Sequence, residues 1–190
     1  GLGDVYKRQV LHDANDTKTM GELCSFVFCA VDMKKDEIRA LEEKYARAEI
    51  PVVSNNSAHR WTPDVPMVVP EINPEDAKRH PRNIIANPNC TTIMMVVALY
   101  PIERLSHIRK IHIASYQSAS GAGAEAMREL QQQYKEILET GSAHSISHFP
   151  HQLAYNVIPQ IDKMTDNDYT KEEMKMYHET RKIMHSDVRT

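Results

Sequence analysis

The sequence predicts an α/β fold: a parallel sheet with a crossover helix, followed by a region where helices and strands mix. Three observations carry this. Ser25-Phe26-Val27-Phe28-Cys29-Ala30-Val31 is a continuous apolar run, as in a strand buried on both faces. Ile38, Leu41 and Tyr45 then mark one face of a charged helix. Ile50-Pro51-Val52-Val53 resumes a strand, so the three pieces form a β-α-β unit with a right-handed crossover.

The remaining elements follow in order. Met67-Val68-Val69 and Asn83-Ile84-Ile85-Ala86 read as further strands amid a segment rich in proline (Pro63, Pro66, Pro70, Pro74, Pro81). Ile93, Val96, Val97 and Tyr100 recur at helical spacing. Lys110 to Gln117 alternates polar and apolar residues, as a half-exposed strand does. A helix is predicted from about Ala124 to Glu139, with Ala126, Leu130, Tyr134, Ile137 and Leu138 on one face. Gly141 to Gln152 is loop-like, rich in His and Ser. Thr170-x-x-Glu173 is a capping box opening a last helix, with Met174, Tyr177 and Met184 inward.

Composition excludes several classes of function. The 190 residues, 41% apolar and 26% charged, describe an ordinary globular protein able to bury a core. A net charge of −3 with scattered basic residues leaves no footprint for nucleic acid or an anionic membrane. No apolar run approaches the roughly 20 residues of a membrane span, and no secretory signal is visible. Three cysteines (Cys24, Cys29, Cys90) are an odd number without a pairing framework, which favours a reducing, cytoplasmic setting. Residues 1–9 match nothing in the pattern that follows and are read as a non-native leader.

The most informative stretch is Asn87-Pro88-Asn89-Cys90-Thr91-Thr92, which places Cys90 where an apolar strand ends and an apolar helix begins. The free N–H groups and dipole of a helix start favour the thiolate, the reactive form of cysteine. Pro88 and the two asparagines fit a tight connection that turns the sulfur towards a cleft. Buried free cysteines are common, but the polar flanks argue against burial here, and Cys90 reads as a nucleophile.

Other constellations say less by themselves. Ser118-Ala119-Ser120-Gly121-Ala122-Gly123 allows close backbone approach to an anion or ring, although a Gly-rich turn is often only a turn. Gln117, at a strand end beside it, could orient a carbonyl. His144, His148 and His151 lie in a stretch broken by Phe149 and Pro150 and lack an acidic or thiol partner set, so no metal is expected. Cys29 belongs to the apolar strand and reads as core. Arg60 and Lys182, taken singly, read as solvated charges.

Jointly, these segments resemble aspartate-β-semialdehyde dehydrogenases of the bacterial type. The matching pieces are Val52 to Arg60, Val65 to Asn73, Ile84 to Thr92, Tyr116 to Gly123, Asn156 to Asp162 and Tyr169 to Met184. Asn-Pro-Asn-Cys-Thr-Thr, with Gln117 lying 27 residues after Cys90, is the specific joint signal. Glyceraldehyde-3-phosphate dehydrogenases carry a Ser-Cys-Thr-Thr-Asn type motif instead, and N-acetyl-glutamyl-phosphate reductases an Asn-Pro-Gly-Cys-Tyr type.

The resemblance implies NADP-dependent interconversion of L-aspartyl 4-phosphate and L-aspartate 4-semialdehyde, on the route to lysine, threonine and methionine. It implies Cys90 as the nucleophile carrying a thioester and Gln117 as the group holding substrate near the sulfur. Arg60 and Lys182 would bind phosphate, Glu179 the substrate amino group, and Ser120 and Gly121 the NADP. Residues 10–86 would be the later part of a Rossmann-like dinucleotide-binding domain and 87–190 part of an α+β catalytic and dimerisation domain. A homodimer or homotetramer is expected. The family's opening glycine loop is absent, and its substrate Arg and base His would lie beyond Thr190. The chain therefore reads as the middle of a longer protein, and His185 is not given the base role. The alternatives are a sister reductase acting on an N-acylated substrate, or an inactive fragment able only to pair with subunits.

Overall fold

The computed structural model describes residues 10–190, so the expectation of a non-native leader over 1–9 lies outside the described residues. Helix α1 (Thr17–Leu23), unforeseen in the sequence, opens on Asp16, whose carboxylate accepts from the Thr19 amide at 3.1 Å. Strand β1 (Val27–Cys29), helix α2 (Lys35–Arg47) and strand β2 (Val52–Ser54) form the expected β-α-β unit. Strand β3 (Ile84–Ala86) completes a parallel sheet of order β1-β2-β3, with Val27, Val52 and Ile84 in register. On one face of the sheet, Cys29, Val52, Ile84 and Ala86 pack with Tyr45 of α2, Ile50 and Val65. The other face differs from expectation at β1, where Phe28 is 76% exposed. A continuous apolar run says that both faces are apolar, not what covers them.

Met67-Val68-Val69 is not a full strand: Met67 makes a single bridge to Ala86. Pro66 and Pro70 bracket it, and proline has no N–H to donate to a ladder. Pro66 contributes only its carbonyl, which accepts from the Ala86 amide at 2.9 Å.

Helix α3 (Cys90–Leu105) begins at Cys90, as the sequence predicts. Its buried face is Thr91, Thr92, Met95 and Val96, while Val97 is exposed and Ile93 and Tyr100 are half-buried. The capping of the Thr92 amide by Asn89 orients the first turn, and the apolar spacing alone could not report it.

Lys110 to Gln117 forms no strand; only Lys110 bridges, to Arg189. Alternation stabilises a strand through cross-strand neighbours, and among the described residues none runs beside 111–117.

Helix α4 (Ala124–Thr140) is correctly placed but its inward face is not the apolar one. Ala126, Glu129 and Gln133 are buried, Leu138 is exposed and Leu130 half-buried. The polar side chains satisfy the backbone of the following loop. Glu129 accepts from Ser147 (amide 2.9 Å, hydroxyl 2.8 Å) and from the amides of His148 and Phe149. The Gln133 carbonyl accepts from the amides of Leu153 and Ala154, both at 2.9 Å. Glu136 accepts from His144 and Ser145. A loop without secondary structure must place its N–H groups somewhere, and here three side chains of one helix receive them.

The burial of Glu129 is outweighed by the His148 amide, the Ser147 hydroxyl and the Phe149 and Ser147 amides, holding its carboxyl at about 2 against an ordinary 4.5. The Ser145 hydroxyl and the His144 and Ser145 amides hold Glu136 at about 2 as well. Both values are depressed on folding, so the stability they confer is present above about 4.5 and is lost as pH falls through about 2. Acid titration should therefore loosen the 144–154 loop in that window, read as faster amide exchange there. Glu129→Gln should weaken this acid dependence, and an unchanged profile would remove Glu129 as its cause.

Helix α5 (Lys171–Met184) carries the predicted capping box: Glu173 accepts from the Thr170 amide at 2.6 Å, and the Thr170 hydroxyl accepts from the Glu173 amide at 3.2 Å. Its buried residues are Glu172, Met176, Glu179, Thr180 and Ile183, whereas Met174, Tyr177 and Met184 are half-buried. Arg181 stacks 4.2 Å from the centre of the Tyr177 ring, which keeps that aromatic towards the outside.

Two compact units result. Among the described residues, one comprises those up to Lys110 together with Met176–Arg189, the other Ile111–Lys175 and Thr190. Packing thus groups α3 with the sheet, because the Asn87 amide donates to Ser54 O at 2.7 Å and Arg60 to Asn87 O at 2.9 Å.

Candidate active site

The turn Asn87-Pro88-Asn89 carries the chain from β3 into α3 and delivers Cys90 with its side chain exposed. Asn89 sits in extended backbone as the N-cap, and its side chain accepts from the Thr92 amide at 3.1 Å. The Asn87 side chain donates to Asn55 Oδ1 at 2.8 Å, tying this turn to the loop after β2.

That loop brings Arg60 in beneath the turn. The guanidinium is buried and donates from Nε to Asn87 O at 2.9 Å and from Nη2 to Pro88 O at 3.2 Å. Nη1 meets Glu179 Oε1 at 3.3 Å. Glu179, 0% exposed, accepts the Asn89 amide on Oε2 at 2.6 Å. Burial pushes the Glu179 carboxyl up, opposed by the Asn89 amide and the Arg60 charge. Lys182, three residues on along α5, donates to the carbonyls of Arg60 (2.9 Å) and Val65 (3.0 Å). Burial pushes its ammonium down, against the charges of Glu179 and Asp76.

Four predicted residues, Arg60, Cys90, Glu179 and Lys182, thus belong to one unit; Arg60, Glu179 and Lys182 share a connected set of bonds that reaches the turn Asn87-Pro88-Asn89 just before Cys90. Gln117, Ser120 and Gly121 belong to the other. Ser120 and Gly121 lie in a short 3-10 turn, Ala119–Ala122, and both are exposed. The Ser118 and Ser120 hydroxyls pair at 2.6 Å. A Cβ added at Gly121 would collide with the Gln117 amide, so the missing side chain at 121 is the space that Gln117 uses. Small, open and hydroxyl-bearing, this turn leaves its backbone accessible.

Sequence reasoning missed the parts played by Asn55 and by the buried Glu42. Glu42 Oε1 accepts from the Ser54 hydroxyl at 2.6 Å and from Asn56 Nδ2 at 3.3 Å, so α2 fixes the start of the Asn55–Arg60 loop. Spacing did hold a signal, since Glu42 lies four residues after Ile38 on the buried face of α2. Cys29 sits in the core, its thiol pushed up to about 11 by burial and by hydrogen bonding to Glu42. Among the described residues no group of three or more His, Cys, Asp or Glu side chains is placed to hold a metal ion. No helix among them is long and apolar enough to cross a membrane.

Comparison with known proteins bears on what this arrangement is. Residues 3–80 match the family described as semialdehyde dehydrogenase, NAD binding domain, and residues 99–189 the one described as semialdehyde dehydrogenase, dimerisation domain. The aspartate-semialdehyde dehydrogenase of Aquifex aeolicus is 50% identical over 145 residues, covering 76% of this chain and 43% of that protein. That of Synechocystis is 52% identical over 141 residues, covering 74% and 41%. The crystal structure of aspartate semialdehyde dehydrogenase II from Vibrio cholerae complexed with ASA superposes with a TM-score of 0.78 at 43% identity, covering 84% of this chain and 47% of that one. An aspartate semialdehyde dehydrogenase with NADP from Candida albicans gives 0.59 at 26% identity, covering 85% and 39%. The chain thus spans less than half the length of these relatives. By the two domain matches and these identities, it belongs to the aspartate-semialdehyde dehydrogenase family.

Proposed function

We propose that the intact protein interconverts L-aspartyl 4-phosphate and L-aspartate 4-semialdehyde with NADP, through a thioester on Cys90. The observation that carries this is the exposed Cys90 thiol at the start of α3, directly after a turn whose backbone is bonded by Arg60 and Glu179, with Lys182 bonded to Arg60 O. In the oxidative direction the Cys90 sulfur attacks the aldehyde carbon and forms a C–S bond. Gln117 orients the carbonyl by donating from its amide to the developing oxyanion. Ser120 and Gly121 would line the NADP site, and the cofactor when bound would supply the hydride-accepting chemistry that leaves an acyl group on Cys90. Phosphate then attacks the thioester carbon, the C–S bond breaks, and Cys90 departs as thiolate. On the family's pattern Lys182 and Arg60 would be the cations for that phosphate, and Glu179 the acid for the substrate ammonium.

The same reading places residues 10–86 in the NADP-binding domain and 87–190 in the catalytic and dimerisation domain. It makes the protein a cytoplasmic homodimer or homotetramer serving lysine, threonine and methionine synthesis.

Substrate choice tests it. With phosphate and NADP present, the intact protein should favour aspartate semialdehyde over N-acetylglutamate semialdehyde by at least about 100-fold in kcat/KM, because an acetylated nitrogen offers no charge to a carboxylate. Preference for the acetylated aldehyde would move the protein to the sister reductases. NAD in place of NADP, in the same assay, decides the cofactor.

A further inference from the structure

We propose that Arg60 and Glu179 act together as a positioning clamp on the turn that carries Cys90. This rests on the reading of Cys90 as nucleophile, and it gives both residues a positioning role beside the substrate contacts proposed above. Three consecutive residues before the cysteine are each held by this one pair. Arg60 takes Asn87 O at 2.9 Å and Pro88 O at 3.2 Å, and Glu179 takes the Asn89 amide at 2.6 Å. The two side chains then close on each other at 3.3 Å.

Both are buried, Glu179 completely, so these bonds form where water does not compete and the geometry is stiff. Neither partner suffices alone. A carboxylate by itself would leave an uncompensated charge beside the sulfur-bearing helix start, disfavouring the thiolate. A guanidinium by itself would leave the Asn89 amide without its charged acceptor. Together they fix the turn on both its carbonyl and its amide side, and so set where the Cys90 sulfur points. Arg suits the task because its planar fork reaches two successive carbonyls and a carboxylate at once, which an ammonium cannot do. The carboxylate is enclosed and holds a backbone amide of the turn on one oxygen, an arrangement that anchors the turn whatever else the carboxylate binds.

Two measurements on the intact protein test the clamp. Alkylation of Cys90 by iodoacetamide at fixed pH, followed by peptide mass spectrometry, involves no substrate. Glu179→Gln and Arg60→Lys should each change its rate by about threefold or more, and should lower kcat by about tenfold or more with a smaller change in KM. The double variant should lose little beyond either single one, because the pair acts as a unit. Glu179→Asp, which keeps the charge, should recover part of the kcat. If the variants fold, alkylate Cys90 at the wild-type rate and differ only in KM for aldehyde or phosphate, the residues serve substrate binding alone and the clamp is wrong. Amide exchange in the unmodified protein covers the case in which the variants do not fold. The Asn89 amide should exchange as slowly as the core of α3, and rapid exchange would overturn the proposal. Full turnover by a Cys90→Ala protein would instead sink the nucleophile assignment, and the alkylation and exchange results would still report on the clamp.

Discussion

Cys90→Ala should reduce phosphate-dependent oxidation of aspartate semialdehyde by the intact protein by about 10⁴-fold or more, on the scale seen when a covalent nucleophile is removed. No other thiol among the described residues is placed to replace it. Cys29 is buried in the sheet core with its thiol pushed up to about 11 by burial. Cys24 donates to Met20 O at 3.0 Å, outside the Arg60–Glu179 set. Cys90 alone combines exposure with a capped helix start. The measurement is steady-state turnover joined to trapping of the acyl-enzyme by acid quench and mass spectrometry. A mass increment on the Cys90 peptide should appear in the native protein and vanish in the variant. Turnover within tenfold of native would mean that another group carries the acyl chain. Cys29→Ala makes the contrasting case, because its effect should fall on stability.

The Cys90 turn was legible because all its signals are local. An apolar strand, a polar turn and a helical period lie within about a dozen residues, and the capping role of Asn89 follows from residue type at a known boundary. The β-α-β unit was legible for the same reason, and a parallel sheet follows from it. Long-range pairing was not. The alternation over 110–117 is a strand's pattern, yet a strand needs a neighbour, and the pattern does not say whether one exists. Helix α4 shows the converse. Its leucines and Tyr134 advertise a face, but Glu129 and Gln133 are the buried ones, because the 144–154 backbone needs acceptors more than the helix needs an apolar seam. The signal for this was present: polar residues at 129, 133 and 136 recur at helical spacing before a loop with no ladder of its own.

The site shows the same division. The resemblance implies which residues would matter, but it does not say what each touches. Glu179 and Arg60 lie 119 residues apart in sequence. Nothing local in either segment says that they meet beneath the Asn87–Asn89 turn, or that their bonds go to backbone atoms of that turn.

Glu42→Ala should lower the melting temperature by about 6–12 °C and reduce activity further than the lost stability explains. Glu42 is 1% exposed on the inner face of α2. Removing its carboxylate takes the acceptor from the Ser54 hydroxyl proton and one acceptor from the Asn56 side-chain amide, and it leaves a void facing His59 Nε2, which stands 3.8 Å from Glu42 Oε2. Each buried polar group left without its partner costs about 1–3 kcal/mol, and the void adds to that. A total of about 3 kcal/mol corresponds to the stated shift for a chain of this size. The activity loss has a separate origin. Ser54, Asn56 and His59 lead directly into Arg60, whose guanidinium holds the carbonyls of Asn87 and Pro88. Loosening α2 from this loop should therefore reach the cysteine turn. Glu42→Gln keeps the volume and one acceptor for Ser54, so it should fall between native and alanine in both stability and kcat. The check is calorimetry beside kcat measured well below the variant's melting temperature. Native kcat in a destabilised Glu42→Ala protein would show that the 54–60 loop holds Arg60 without help from α2.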